Sequence, residues 1–151
     1  MKRFMLVLTL AVAVIGGGIV AAEKVSMDGI KCIVAGSKAA LAENSVDYLD
    51  GKVYFCCQNC PKKFEADKAK FATNANYQLV ATKQYEQGVC PFTGNKLDPA
   101  KAIDVAGVKV SFCCDNCKGK AEKMKDDEKL ESIFSQKAFE KAKFAKVAVK
   151  K

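Results

Sequence analysis

A chain of 151 residues is the size of one domain or two small ones. It carries 25 Lys and Arg against 17 Asp and Glu, a formal net charge of +8, and has no histidine and no tryptophan. That excludes histidine-based catalysis and histidine metal ligands, and leaves eight cysteines as the chemistry to explain.

The amino terminus reads as an export signal. Lys2 and Arg3 form a short positive region, residues 4–15 are apolar, and Val20, Ala21 and Ala22 offer small residues for a cut before Glu23. The competing reading is a retained membrane anchor, because the apolar run is almost long enough to span. Gly16, Gly17 and Gly18 weaken a spanning helix. Residues 1–22 are therefore taken as a signal peptide and the mature protein as periplasmic or secreted, without a stable membrane span. Residues 23–29 are a polar lead-in. Export also separates the basic chain from nucleic acid, so no nucleic-acid partner is expected.

The rest of the chain repeats itself. The hexapeptide Phe55-Cys56-Cys57-Gln58-Asn59-Cys60 returns as Phe112-Cys113-Cys114-Asp115-Asn116-Cys117, and one further cysteine, Cys32 or Cys90, stands upstream of each copy. Gly36 and Gly94 follow those upstream cysteines at the same offset. Such self-similarity marks a duplicated small unit. We place repeat one at residues 30–88, repeat two at 89–146, and a basic tail at 147–151.

Within each copy, glycine after the first cysteine marks a tight turn. Alternating residues 45–49 and 52–55 around Asp50-Gly51 predict a hairpin, and residues 102–105 and 108–112 around Gly107 predict its counterpart. Each double cysteine then ends the second strand. Pro61 opens a helix carrying Phe64 and Phe71 at helical spacing, and residues 118–129 read as the equivalent helix. Further helices are expected over 75–87 and 130–149. In the latter, Leu130, Phe134, Ala138, Ala142 and Ala145 form one apolar stripe for core packing.

A unit this small buries too little surface to be comfortable alone, and such units are usually stapled. Three chemistries compete. Cysteines three and four apart at a strand-to-helix corner share one side of a first helical turn, where N–H groups and the helix dipole favour thiolate. A first cysteine returning to that corner gives three or four thiolates for Zn2+ or Cu+. Disulfides are the second chemistry, since an exported chain with an even cysteine count invites a bridged framework. Adjacent cysteines and the repeated corner suit it less well. Thiol–disulfide catalysis by the Cys57-Gln-Asn-Cys60 and Cys114-Asp-Asn-Cys117 segments is third, and antiparallel hairpins are the wrong context for it.

On these residues the chain resembles the TRASH/YHS group of small treble-clef-like metal-binding domains. The shared pattern is one cysteine, a spacer, then an aromatic-Cys-x-x-x-Cys. Cys32, Cys56 and Cys60 match it in copy one and Cys90, Cys113 and Cys117 in copy two. Gly51 to Phe55 looks like the group's glycine-to-aromatic entry. The resemblance covers about half the chain. It implies heavy-metal binding, trafficking or resistance, and association with an envelope metal transporter or another metal-handling protein. The histidine found in part of that group is absent, and Cys57 and Cys114 replace a position that is often serine there. Those two thiols complete a four-thiolate site, remain as small buried groups, or bridge to each other. Asn59 and Asn116 read as turn or capping residues.

The expected fold class is thus α+β, two tandem treble-clef-like units, each a hairpin and helices around a cysteine cluster. The expected function is non-catalytic binding, buffering or trafficking of about one Zn2+ or Cu+ per repeat, with Cys32, Cys56, Cys57, Cys60, Cys90, Cys113, Cys114 and Cys117 as candidate ligands. The alternative is a structural or interaction module whose cysteines, with structural zinc or as disulfides, only staple the fold.

Overall fold

In a computed structural model that describes residues 25–148, each copy builds the same hairpin. Strand β1 (Leu41–Tyr48) pairs antiparallel with β2 (Gly51–Phe55). The next strand, β3 (Tyr85–Glu86), closes copy one, and copy two repeats the hairpin as β4 (Asp98–Val105) and β5 (Val108–Phe112). Both hairpins carry the same irregularity. Register shifts between Leu41 and Ser45 in one, and between Asp98 and Ala102 in the other. Tyr48 pairs with Gly51 and Val105 with Val108, so the turns are Leu49-Asp50 and Ala106-Gly107. Copy one therefore turns one residue earlier than Asp50-Gly51. Leu49 and Ala106 take positive φ, both 52°. Gly51 has a different role: a Cβ there would lie 2.8 Å from both Gln84 Oε1 and Leu79 Cδ2, so a larger residue would have to push those side-chain ends aside.

The helices are shorter and more broken than periodicity alone suggests. Helix α1 (Asn59–Ala66) stops where Asp67 caps α2 (Lys68–Ala81), its carboxylate accepting from Lys70 N–H at 3.1 Å. Phe64 and Phe71 thus lie on two helices. The expected helix over 75–87 ends at Ala81, because Lys83 turns left-handed and Tyr85–Glu86 is strand. Copy two runs through α3 (Asp115–Glu122), α4 (Asp126–Phe134) and α5 (Gln136–Lys141) to strand β6 (Ala145–Lys146). So the helix expected over 118–129 breaks between α3 and α4, and the one over 130–149 breaks at Ser135, whose backbone is extended (φ −54°, ψ 154°). The stripe residues still do the expected packing: Phe134, Ala138 and Ala142 are buried, while Ala145 is exposed on β6.

The fold class is α+β, with two cysteine clusters in two similar small units. Those units share one hydrophobic core through equivalent segments. Helix α2 packs on α4, β3 pairs with β6, and Tyr77 meets Phe134 edge to face at 5.5 Å. Phe55, Phe64, Phe112, Phe134, Leu79 and Ile133 are the largest fully buried apolar side chains. Asn76 is buried between the units, donating to Phe134 O at 3.0 Å and accepting from Tyr48 Oη at 3.2 Å. Burying apolar area at roughly 25 cal/mol per Å2 is worth more in one shared core than in two halves left open.

Each cysteine-bearing corner leans on a pair of aromatic rings, and the two copies supply them differently. Phe55, just before Cys56, packs on Phe64 at 5.6 Å. Phe112, just before Cys113, packs on Phe92 at 5.4 Å. Copy one has Val34 on the first-cysteine turn and Phe64 on the helix, whereas copy two has Phe92 on the turn and Ala121 on the helix. Large and small have changed places, which conserves volume and keeps the core filled.

Candidate metal centre

The first thiol of each copy is held by a local turn. Cys32 O accepts from Gly36 N–H at 2.8 Å and Cys32 N–H donates to Lys38 O at 2.8 Å. Cys90 does the same with Gly94 N–H at 2.8 Å and Asn95 O at 2.9 Å. Gly36 and Gly94 sit at φ 68° and 77°, the left-handed conformation such a turn requires. The second thiol, Cys56 or Cys113, leaves the end of β2 or β5. The third, Cys60 or Cys117, lies in the first turn of α1 or α3.

Three elements thus converge at one point in each copy. The sulfurs of Cys32, Cys56 and Cys60 all lie within 4.8 Å of one another, and so do those of Cys90, Cys113 and Cys117. In both triads the first and third cysteines are buried and the second is half-buried. All eight cysteines are free thiols. A tetrahedral zinc bound at about 2.3 Å holds its sulfurs about 3.8 Å apart. Cys56 Sγ and Cys60 Sγ are 3.7 Å apart, and Cys113 Sγ and Cys117 Sγ 3.8 Å. The all-sulfur donor set fits a soft cation, and the strand-end and helical sulfurs already stand at the spacing one requires.

Cys57 and Cys114 stand outside the triads. Cys57 is exposed, with its sulfur 3.5 Å from Cys60 Sγ. That corrects, for Cys57, the reading of a small buried group. Cys114 is half-buried and lies 3.7 Å from Cys113 Sγ instead. Asn59 and Asn116 do not cap: the N-cap positions of α1 and α3 belong to Gln58 and Cys114.

Electrostatics divides the thiols into two kinds. Burial pushes Cys90 up, but the Thr93 hydroxyl and the N–H groups of Cys113, Thr93 and Phe92 outweigh it and bring the thiol down to about 6. Cys32 follows the same logic: burial raises it, and N–H donors from Ala35, Cys56 and Val34 carry it below the ordinary range. The Asn59 N–H, then the Cys60 thiol and N–H, bring exposed Cys57 to about 7. The Cys117 N–H leads in lowering Cys114. Burial, then neighbouring sulfurs, pushes Cys60 and Cys117 up to about 12. Without a cation each triad thus sets a first cysteine whose thiolate form is favoured by hydrogen bonds beside a helical thiol that holds its proton, and a bound cation would have to displace that proton.

Two glutamines fix the corner and were not singled out in the sequence. Gln78, 1% exposed, accepts from Tyr54 N–H at 2.6 Å and donates to Tyr54 O at 3.0 Å and Lys31 O at 2.9 Å. It ties the residue before Cys32 to the strand that delivers Cys56. Gln87 makes the equivalent bonds in copy two, accepting from Ser111 N–H at 3.0 Å and donating to Ser111 O at 2.9 Å and Val89 O at 3.0 Å. The amides act as a substitute strand along an otherwise open edge. Gln78 comes from α2 and Gln87 from the segment after β3, so the two do not align in the repeats. The available signal was a pair of amides, Asn76 and Gln78, among the core positions of α2. Thr93 was also missed. Its hydroxyl lies 3.2 Å from Cys113 Sγ, at the position that Ala35 holds in copy one.

Compared with protein-family models, curated proteins and solved structures, the chain finds no match.

Proposed function

We propose that this protein binds thiophilic cations, Zn2+ or Cu+, one in each cysteine triad, and buffers or carries them in the cell envelope. One observation carries the reading: three sulfurs from a turn, a strand end and a helix start meet within 4.8 Å, twice, at equivalent positions. Chance grouping of thiols does not repeat across diverged spacers. An all-sulfur donor set selects soft or borderline ions over magnesium and calcium.

Membership of the TRASH/YHS group and export through the terminal signal are part of the same proposal. The residues of that signal lie outside the described region. Among the described residues no helix is long and apolar enough to cross a membrane. The partner that fits this reading is a metal transporter or another metal-handling protein of the envelope.

Native mass spectrometry of the mature chain, kept reduced and supplied with Zn2+ or Cu+, tests the assignment. The expected result is two ions per chain, falling to one in Cys60→Ser and one in Cys117→Ser. A mass showing no ion, lowered only by the hydrogens lost to disulfides, refutes it.

A further inference from the structure

The two triads repeat each other, but the fourth thiol beside each does not. We propose that the two sites differ in kinetics: copy one exchanges its ion through Cys57, and copy two retains its own. This deepens the metal-binding reading and rests on it.

In copy one the three triad thiols are enclosed or half-enclosed, while Cys57 is exposed and its sulfur stands 3.5 Å from that of Cys60. Cys60 is otherwise only 7% exposed. An incoming thiol that cannot reach Cys60 can reach Cys57. A cation can then move in steps, its bond to Cys60 sulfur giving way as a bond to Cys57 sulfur forms, and that bond giving way in turn to the acceptor's sulfur. Each metal–sulfur bond made replaces one broken. The Cys57 proton passes to the Cys60 thiolate released and the acceptor thiol's proton to Cys57. The bonds to Cys32 and Cys56 are then replaced by acceptor sulfurs in the same way, and no electron is transferred.

Copy two lacks this arrangement. Cys114 is half-buried and leans on Cys113, the strand-end member, at 3.7 Å. Cys114 does reach Cys117, accepting from its N–H, but it is half-buried where Cys57 is exposed, so the helical member has no exposed neighbour of its own. The Thr93 hydroxyl, 3.2 Å from Cys113 Sγ, adds a hydrogen-bond partner there that Ala35 cannot offer in copy one. Phe92 on the same turn is covered by Lys120, 5.1 Å from its ring centre. The acceptor for the exchangeable ion is therefore a protein or small molecule presenting free thiols.

The test uses zinc-loaded protein mixed rapidly with excess dithiothreitol and a colorimetric zinc chelator. Two release phases of equal amplitude are expected. Cys117→Ser should keep only the fast phase and Cys60→Ser only the slow one. Cys57→Ser should still bind two ions and slow the fast phase by roughly tenfold or more, the scale on which groups flanking a metal site act. Cys114→Ser should leave the fast phase unchanged. A single phase in the parent protein overturns the proposal, as does a fast phase surviving Cys57→Ser. A Cys57→Ser protein that binds one ion makes Cys57 a permanent ligand and overturns it as well. Failure of the parent protein to take up zinc is a different result, and removes the metal-binding reading beneath it.

Discussion

Replacing Gln78 by leucine should cost far more than a change of one side chain suggests. Leucine keeps most of the volume but removes three hydrogen bonds, to Tyr54 N–H at 2.6 Å, Tyr54 O at 3.0 Å and Lys31 O at 2.9 Å. Gln78 is 1% exposed, so water cannot replace what is lost without opening the corner. Each backbone group left unpaired in such a place costs about 1–3 kcal/mol. Apolar gain from the leucine offsets part of this, leaving about 3–5 kcal/mol. With a urea slope of about 1.5 kcal/mol per M, the unfolding midpoint of the metal-free protein drops by roughly 2–3 M. Gln84→Leu is the control. Gln84 makes the same kind of paired contact with Lys52 N–H and O, both at 2.7 Å, but on the exposed stretch of β2. Water replaces those bonds, so the cost should be about 1 kcal/mol. Because Gln78 spaces Cys32 from Cys56, the leucine variant should also weaken zinc about 10- to 100-fold in site one and leave site two alone. Gln87→Leu should do the reverse. Equal midpoints for Gln78→Leu and Gln84→Leu, or equal weakening of both sites by one change, would refute the reasoning.

Gly88→Ala should destabilise by about 1–3 kcal/mol in thermal unfolding, since the new Cβ would lie 2.7 Å from the backbone Lys143 O and cannot be relieved by a rotamer. Gly119→Ala, on α3 with nothing near the new methyl, should instead stabilise by up to about 1 kcal/mol. Thiolate absorbance of the metal-free protein should rise in stages with pH, Cys90 near 6 and Cys57 near 7, with Cys60 and Cys117 last near 12. A single step at the ordinary thiol value contradicts it. The sign for stability follows. Cys90 is lowered, so its contribution is complete above the ordinary thiol range and lost as pH falls through about 6. Cys60 and Cys117 are raised, so theirs is complete below the ordinary range and lost as pH climbs through about 12. Zinc binding displaces those last two protons, and its apparent affinity should therefore increase with pH, as a pH-indicator titration will read. Thr93→Ala should raise the Cys90 titration from about 6 and weaken site two only, measured by competition with a chelator.

Much of the site was legible because it is written in short-range spacing. A strand that alternates, a turn, and cysteines three and four apart place Cys56 beside Cys60 whatever lies around them. The left-handed turn at Gly36 likewise follows from its place after Cys32. The helices were less legible. The apolar period continues through Asp67 and Ser135, yet a capping carboxylate in one case and an extended residue in the other stop the helix. Apolar spacing records which residues face the core, and a broken helix can present the same face as a continuous one. Lys83 and Lys143 both turn left-handed, at φ 59° and 50°, to start β3 and β6. Nothing in a lysine advertises that.

The sequence by itself determined that there are two copies, that each carries a hairpin ending in cysteines, and which residue types are able to hold a soft ion. Those are properties of neighbours along the chain. Tertiary structure decided the rest: that α2 rests on α4, that Gln78 and Gln87 hold the corners from unrelated positions, and that Cys57 remains outside in solvent while Cys32 and Cys60 are enclosed. Burial is set by which distant surfaces close over a residue, and two adjacent cysteines are told apart only once that closure has happened.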